Sequence, residues 1–267
     1  MSPQADGDEA METSCKTVLI SGASSGVGAA SALRCARMGM NVVVNYRASR
    51  AGAEAVVAEV GLAGGRAVAM QGDVSQVADC ERMVQETVAQ FGSLDILVNN
   101  AGTTTFVPHD DLEGLTEDIW LQTLGVNLMG AFYMTRAAVP FLKQSGGGCV
   151  VMTSSIASQT ASGSSIAYCA SKAGLNSLTR TLAKALGKDG IRVNAVLPGL
   201  IDGDWAFNTW GGGDPERYED LKAQFVQQTP LAHVVSPDDV AEAILSFIEG
   251  SPYVTGQLLT LDGGFTL

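Results

Sequence analysis

The sequence predicts a single-domain α/β fold: a doubly wound, mostly parallel sheet of about seven strands with helices on both faces. Three observations carry that expectation. Short apolar runs rich in β-branched residues alternate with longer helix-like segments, the pattern of a parallel sheet covered on both sides. A glycine-rich turn follows the first of these runs directly and opens a helix-like segment. No repeat or linker divides the 267 residues, a length that one α/β domain ordinarily fills. Right-handed crossovers give such a sheet its two covered faces and leave ligands at the carboxyl ends of the strands.

Taken in order, KTVLIS (16–21) reads as the first buried strand, followed by a helix over 26–39. NVVVNY (41–46) is the second strand and RAVAMQ (66–71) the third, with a helix around 50–63 between them. A helix around 76–91 leads to the fourth strand, LDILVN (94–99). One long helix is expected over 117–143, with Pro140 near its end. CVVMTS (149–154) is the fifth strand, 165–187 a helix, and IRVNAVL (191–197) the sixth strand. A helix over 237–249 precedes a last strand near 257–261. Two stretches stand outside this alternation. Residues 1–14, MSPQADGDEAMETS, read as a disordered acidic tail that lacks the basic-then-apolar run of a signal peptide, so the domain proper is 15–267. Residues 200–216, LIDGDWAFNTWGGGDPE, are too long and irregular for a simple turn. They read as the start of a substrate lid spanning about 200–228, with disorder as the alternative.

Composition narrows the function classes. A net charge of −12 and a pI of about 4.5 repel nucleic acid and anionic membrane surfaces. No apolar run reaches the roughly 18 residues of a membrane span. The five cysteines have no CxxC pair or regular spacing, which points to a reducing, cytoplasmic setting. Two histidines exclude a histidine-rich metal centre.

The glycine turn is ISGASSGVGAA. Gly22, Gly26 and Gly28 are spaced GxxxGxG. Glycines there let backbone N–H groups approach a pyrophosphate at a helix N-terminus, whose dipole favours negative charge. That is the logic of the Rossmann-type dinucleotide turn, and it makes Gly22, Ser24, Ser25, Gly26, Val27 and Gly28 candidate cofactor contacts. Gly22–Gly26 also spells GxSxG, the nucleophile elbow of hydrolases. That competing reading casts Ser24 as nucleophile and His233 as its base, and leaves the remaining motifs without a task.

In a dinucleotide fold the end of the second strand meets the adenosine ribose, where an acid selects NAD and a nearby arginine accommodates the 2′-phosphate of NADP. Residues 41–49 contain no Asp or Glu. Asn45, Tyr46, Arg47 and Ser49 offer neutral donors and one guanidinium, which suits phosphate. NADP(H) is favoured, NAD(H) remains possible, and a solvated loop arginine is the plain alternative.

AYCASKAG (167–174) sets Tyr168 and Lys172 four residues apart, one above the other on a helix. A neighbouring cation lowers a phenol's pKa. Moving it from about 10 to about 7 takes roughly 4 kcal/mol and produces an acid/base group for neutral pH.

SGASSGVG, Asp73–Val74, NNAG at 99–102, Asn127 in GVNL, Ser155 in TSSIAS, Tyr168-x-x-x-Lys172, Pro198–Gly199 and DGG at 262–264 follow one another in that order. Together they resemble the short-chain dehydrogenase/reductase family over residues 16 to about 265. The resemblance implies Tyr168 as general acid in carbonyl reduction and base in alcohol oxidation, with Lys172 lowering its pKa and holding the nicotinamide ribose. It implies Ser155 as the hydroxyl that orients the substrate oxygen, and Asn127 as support for a water-linked proton relay to Lys172. Asp73 and Val74 would border the adenine; Asn99, Ala101 and Gly102 would line the cleft; Pro198, Gly199 and Ile201 would face the nicotinamide. Ser154 competes with Ser155, Asn127 could bridge backbone groups at a helix kink, and Asp73 could be a turn residue. Gly203 stands where the family often carries a threonine that grips the nicotinamide carboxamide, so that clamp is unassigned. The resemblance also implies a homo-oligomer, dimer or tetramer. Trp205, Phe207 and Trp210 suggest a small-molecule substrate with apolar surface, a hydrophobic ketone, unless they pack on the protein's own helices. A dinucleotide-binding sensor that lost the chemistry, or an NAD-linked alcohol dehydrogenase, are the other readings.

Overall fold

The computed structural model describes residues 15–160 and 162–267; the acidic tail over 1–14 lies outside the described residues. Seven strands form one parallel sheet in the order β3-β2-β1-β4-β5-β6-β7. They are β1 (Thr17–Ile20), β2 (Asn41–Tyr46), β3 (Arg66–Gln71), β4 (Ile96–Asn99), β5 (Gly148–Thr153), β6 (Ile191–Pro198) and β7 (Leu258–Leu261). Helices α1 (Gly26–Arg37), α2 (Arg50–Leu62) and α3 (Val77–Phe91) connect the first four strands. α5 (Ala131–Gln144) and α6 (Ile166–Leu186) flank β5, and α9 (Pro237–Glu249) precedes β7.

Burial on both faces explains the near-continuous apolar strands. Val18, Ile20, Val42, Val44, Ile96 and Val98 point to the side packed by α1, α2 and α9. Leu19, Val43 and Leu97 point to the side packed by α3, α5 and α6. The period of two within each strand is what a pleat imposes. β1 lies between β2 and β4 with parallel register to both, so the strand order reverses there. The crevice outside the carboxyl ends of β1 and β4 is therefore the ligand position for this topology.

The stretch expected as one long helix is three segments: α4 (Glu117–Leu124), a π-helical turn (Gly125–Gly130) and α5. Pro140 lies inside α5, four residues before its end. The π turn holds Asn127 in its centre, 1% exposed. Its amide oxygen accepts from Thr103 N at 2.7 Å and its amide nitrogen donates to Thr103 O at 2.9 Å. That two-way clamp fixes the chain leaving β4 to the widened helical turn, a known place for functional residues. Gly130 closes the turn, since a Cβ there would meet Val74 Cγ2 at 2.8 Å.

The 200–216 segment is ordered, against the alternative of disorder. It contains α7 (Asp204–Thr209) and leads into α8 (Pro215–Gln228). Asp214 caps α8 by accepting from Glu216 N and Arg217 N, with Pro215 in the first turn.

Candidate active site

α6 begins with Ser165, whose hydroxyl accepts from Tyr168 N at 3.2 Å. This cap sets the phase of the helix, so Tyr168, Lys172 and Asn176 stack along the face that meets the end of β5. Lys172 is 3% exposed and donates from Nζ to Thr153 O at 2.8 Å. Its ammonium lies 5.6 Å from the Tyr168 ring centroid. Ser155, just beyond β5, caps the short 3-10 turn Ile156–Ser158 by accepting from Ala157 N at 3.2 Å, and it lies beside the Tyr168 phenol, whose pKa it lowers. Ser154 is 4% exposed and turned inward, bonded to Asn176 Oδ1 at 2.7 Å and to Lys172 O at 3.3 Å. Of the two serines, Ser155 is the one beside the phenol. Asn127 joins this group through Ser171: its amide donates to Ser171 Oγ at 3.0 Å, and Ser171 donates to Tyr168 O at 2.7 Å.

The glycine turn lies at the end of β1. Gly22 has φ +62°, and a Cβ there would meet Ala101 Cα at 2.8 Å, so the turn after β1 and the turn after β4 touch backbone to backbone. Gly28 is pressed against Asn100 Nδ2, which a Cβ would meet at 2.7 Å. Ser21 and Asn100 tie the two turns: Asn100 N and Ala101 N both donate to Ser21 Oγ at 3.0 Å, and Asn100 Nδ2 donates to Gly22 O at 3.0 Å. Ser25 begins α1 without a side-chain cap, and the first turn carries no acid. Its N–H groups therefore face the crevice uncompensated, as an anion site requires. These residues fit a dinucleotide.

The family model described as "Enoyl-(Acyl carrier protein) reductase" matches residues 22–266. A protein described as ketoacyl reductase 2 of the granaticin polyketide synthase from Streptomyces violaceoruber is 42% identical over 92% of this chain and 94% of its own. An L-rhamnose 1-dehydrogenase (NAD(P)(+)) from Azotobacter vinelandii is 39% identical over 93% and 96%. A solved protein described as a short-chain dehydrogenase/reductase, from Burkholderia xenovorans, superposes with a TM-score of 0.87 at 33% identity, covering 96% of this chain and 99% of that one.

This chain belongs to the short-chain dehydrogenase/reductase family. Membership leaves the hydrolase reading of GxSxG without support, and among the described residues no hydrogen bond joins Ser24 to His233, which is exposed. Within the family frame, several expectations change. The first concerns acidity. Burial pushes the Tyr168 phenol up to about 12, opposed by the Ser155 hydrogen bond. Burial also brings Lys172 down to about 8. The ammonium sits over the ring and bonds the Thr153 carbonyl rather than the phenolic oxygen, so desolvation outweighs its field.

The second concerns the adenosine end. Asn45 is 2% exposed and lies under the glycine turn instead of facing the crevice. It accepts from Gly22 N at 3.1 Å and donates to Met70 O and Gly72 O at 3.2 and 3.1 Å. It shapes the turn from below. Tyr46 is 4% exposed, and its hydroxyl accepts from Arg50 Nε at 3.1 Å. Arg47 is exposed, 4.0 Å from Asp73 Oδ2. Asp73 Oδ1 accepts from both Ser75 N and Ser75 Oγ, the turn role weighed for it. Val74 is buried under Gly130. Tyr46, Arg47, Arg50, Gly72 and Asp73 line a cavity of about 860 Å³ that runs along the β3 edge. Ser49 starts α2, and Gly52 lets that helix approach Ser24, whose carbonyl a Cβ would meet at 2.7 Å.

The other residues expected at the cleft have protein partners of their own. Asn99 is buried, donating to Thr135 Oγ1 at 3.0 Å while its Oδ1 has no partner. Gly102 faces the Trp205 indole, and a Cβ there would meet Trp205 at 3.2 Å. Pro198 ends β6, Gly199 N donates to Leu261 O at 2.9 Å, and Ile201 bridges to Val235.

The aromatics of the 200–216 segment pack differently from one another. Trp205 lies edge-on to Tyr168 with centroids 6.5 Å apart and is 47% exposed. Phe207 packs on Tyr218, and Trp210 packs on Phe106. Only Trp205 stands at the phenol. Gly203 has φ +147°, a conformation that threonine rarely adopts. A contact set that motif reading missed holds this segment: Gly203 N donates to Tyr218 Oη at 3.1 Å, Tyr218 donates to Asp202 at 2.7 Å, and Lys222 lies 3.6 Å from Asp202. Its residues are spread over 202–222 with no motif spacing.

Proposed function

We propose that this protein is an NADP(H)-dependent carbonyl reductase acting on a hydrophobic small-molecule ketone, reversibly an alcohol dehydrogenase. The observation that carries the reading is Ser155, Tyr168 and Lys172 converging at the carboxyl ends of β4 and β5, beside an anion-ready glycine turn. The glycine turn would hold the pyrophosphate, and Tyr168, Lys172, Pro198, Gly199 and Ile201 would surround the nicotinamide half. The cofactor supplies or accepts the hydride. Charge grows on the carbonyl oxygen as the C–H bond forms, and that oxygen needs a proton and a hydrogen-bond donor. Tyr168 provides the proton from Oη, and Ser155 orients the oxygen. A phenol held near 12 by burial stays protonated at neutral pH, which suits the reductive direction. Asn127 supports reprotonation by holding the π turn, and Lys172 binds ribose hydroxyls.

NADP(H) over NAD(H) is supported by the absence of an acid over 41–49 and by the Arg47 and Arg50 guanidiniums around the end of β2. An apolar ketone is supported by Trp205 at the phenol and by the ketoacyl reductase relative. Leu121, Met129 and Phe132 on α4 to α5 are exposed, which supports a homo-oligomer checkable by light scattering. Among the described residues no helix is long and apolar enough to cross a membrane, and five free cysteines support a cytoplasmic setting.

The test is NADPH and NADH consumption against apolar ketones, quinones, sugars and acyl thioesters. Turnover of the ketones, faster with NADPH, is expected. Selective oxidation of sugars with NAD⁺ would replace this reading with that of a sugar dehydrogenase.

A further inference from the structure

Behind the catalytic face lies a hydrogen-bond chain that the reaction itself does not use. Asn176 sits one turn beyond Lys172 on α6 and is 7% exposed. Its Oδ1 accepts from Ser154 Oγ at 2.7 Å, and its Nδ2 donates to Ser158 Oγ at 2.7 Å. Ser158 Oγ in turn donates to Ser155 O. The donors run in one direction, Ser154 to Asn176 to Ser158 to the Ser155 carbonyl, so each hydroxyl proton and the amide orientation are determined by the next member. Ser154 Oγ also approaches Lys172 O. One amide therefore links both residues flanking the β5 exit, the 3-10 turn and the backbone of the lysine's own helix turn.

We infer that Asn176 is a positioning residue for the carbonyl chemistry: it locks the Ser154–Ser158 turn against α6 so that the Ser155 hydroxyl is held at Tyr168 Oη. The physical need is clear. Ser155 lies in extended backbone, φ −167° and ψ 155°, at the junction of strand and 3-10 turn. Among the described residues its own hydroxyl makes one hydrogen bond, the local one from Ala157 N, and it lies beside the Tyr168 phenol. Beside the Asn176 chain, the β5 exit is tied to α6 by Lys172 Nζ at Thr153 O and by the longer Ser154 Oγ–Lys172 O approach. An alanine at 176 would leave the buried Ser154 Oγ and the half-buried Ser158 Oγ without their amide partner. The turn would then relax by tenths of an ångström or more, where catalytic geometry is unforgiving.

The inference rests on the reductase reading, and its test separates the two. Asn176→Ala, Ser158→Ala and the double variant are compared with wild type. Expected for Asn176→Ala are a roughly 10- to 100-fold fall in kcat, dinucleotide Kd by tryptophan fluorescence within about threefold, and faster amide exchange at Ala157, whose N–H bonds Ser155 Oγ. Ser158→Ala should show the same pattern more weakly, and the double variant should be no worse than Asn176→Ala, because both break one chain. A folded Asn176→Ala with kcat within about twofold, or a double variant whose losses add, overturns the inference. Should Asn176→Ala fail to fold, Ser158→Ala carries the same readouts. Should wild type reduce no ketone, the reductase reading fails, while Ala157 exchange still decides the positioning role: unchanged exchange in the variants would overturn it.

Discussion

The two ends of the cleft solve opposite electrostatic problems. At the end proposed for the nicotinamide, Tyr168 and Lys172 are drawn into the protein, and burial shifts both pKa values in favour of the neutral forms, up to about 12 and down to about 8. At the end proposed for the adenosine, Arg47, Arg50 and Asp73 stay nearer the surface in loose ion pairs. Position along one crevice thus decides whether desolvation or solvent-screened attraction governs a charge. The buried end is built for proton placement. Under the proposed NADP(H) reading the exposed end would serve recognition, with a charged guanidinium free to meet a phosphate.

The largest effect should come from the buried end. Tyr168→Phe removes the proton donor while keeping the ring, so turnover should fall about 10²- to 10⁴-fold with cofactor affinity within a few fold. Retention of turnover in this variant, measured in a single-turnover assay, would show that the buried end is not the proton source. Next comes the exposed end. Arg47→Asp should reverse the preference between NADPH and NADH by roughly 10- to 100-fold in kcat/KM, as repulsion replaces attraction at a 2′-phosphate. Stability should barely change, because an exposed pair 4.0 Å apart contributes little. If thermal melting shifts by many degrees instead, the contrast between the two ends has been misjudged.

Lys172 sharpens the comparison through pH. Its folded pKa lies below the ordinary value of 10.5, so the unfolded chain binds more protons between about pH 8 and 10.5. Stability therefore rises with pH across that window, and the charge-burial penalty is fully present below pH 8. Against Lys172→Met, wild type should gain up to about 3 kcal/mol between pH 7 and pH 10.5 in urea titrations. Reductive kcat/KM should meanwhile fall as pH rises through about 8, where Lys172 loses its proton. A flat stability difference would mean the ammonium is better solvated than its 3% exposure implies. The smallest effect is expected at the lid. Trp205→Ala should raise KM for an apolar ketone by roughly 5- to 20-fold, the scale of one lost aromatic contact, with kcat nearly kept. An unchanged KM would assign Trp205 to packing over Tyr168 alone.

Much of the catalytic end was legible because it depends on short-range periodicity. A four-residue interval on a helix places two side chains together whatever the rest of the chain does. The glycine turn was legible for a similar reason: positive φ and close backbone approach admit few other residues, as at Gly22. Asn45 shows the limit. Its place at the end of β2 pointed to the cofactor, but the pleat turned its amide inward beneath the turn, and alternation along a strand buried on both faces leaves no polar signature for that. The long helix over 117–143 failed in the same way, because a π turn differs from an α turn by one hydrogen bond and follows from the Asn127–Thr103 clamp across the fold.

The alternation of β-branched runs and helical segments, the glycine turn and the Tyr168–Lys172 spacing were determined by the sequence alone, since each rests on covalent geometry and local period. The tertiary structure decided which way pKa values move, which serine lies beside the phenol, and how Tyr218 joins Gly203 to Asp202. Those outcomes depend on burial and on contacts between residues far apart in the chain, and neither quantity exists until the sheet and its helices have packed.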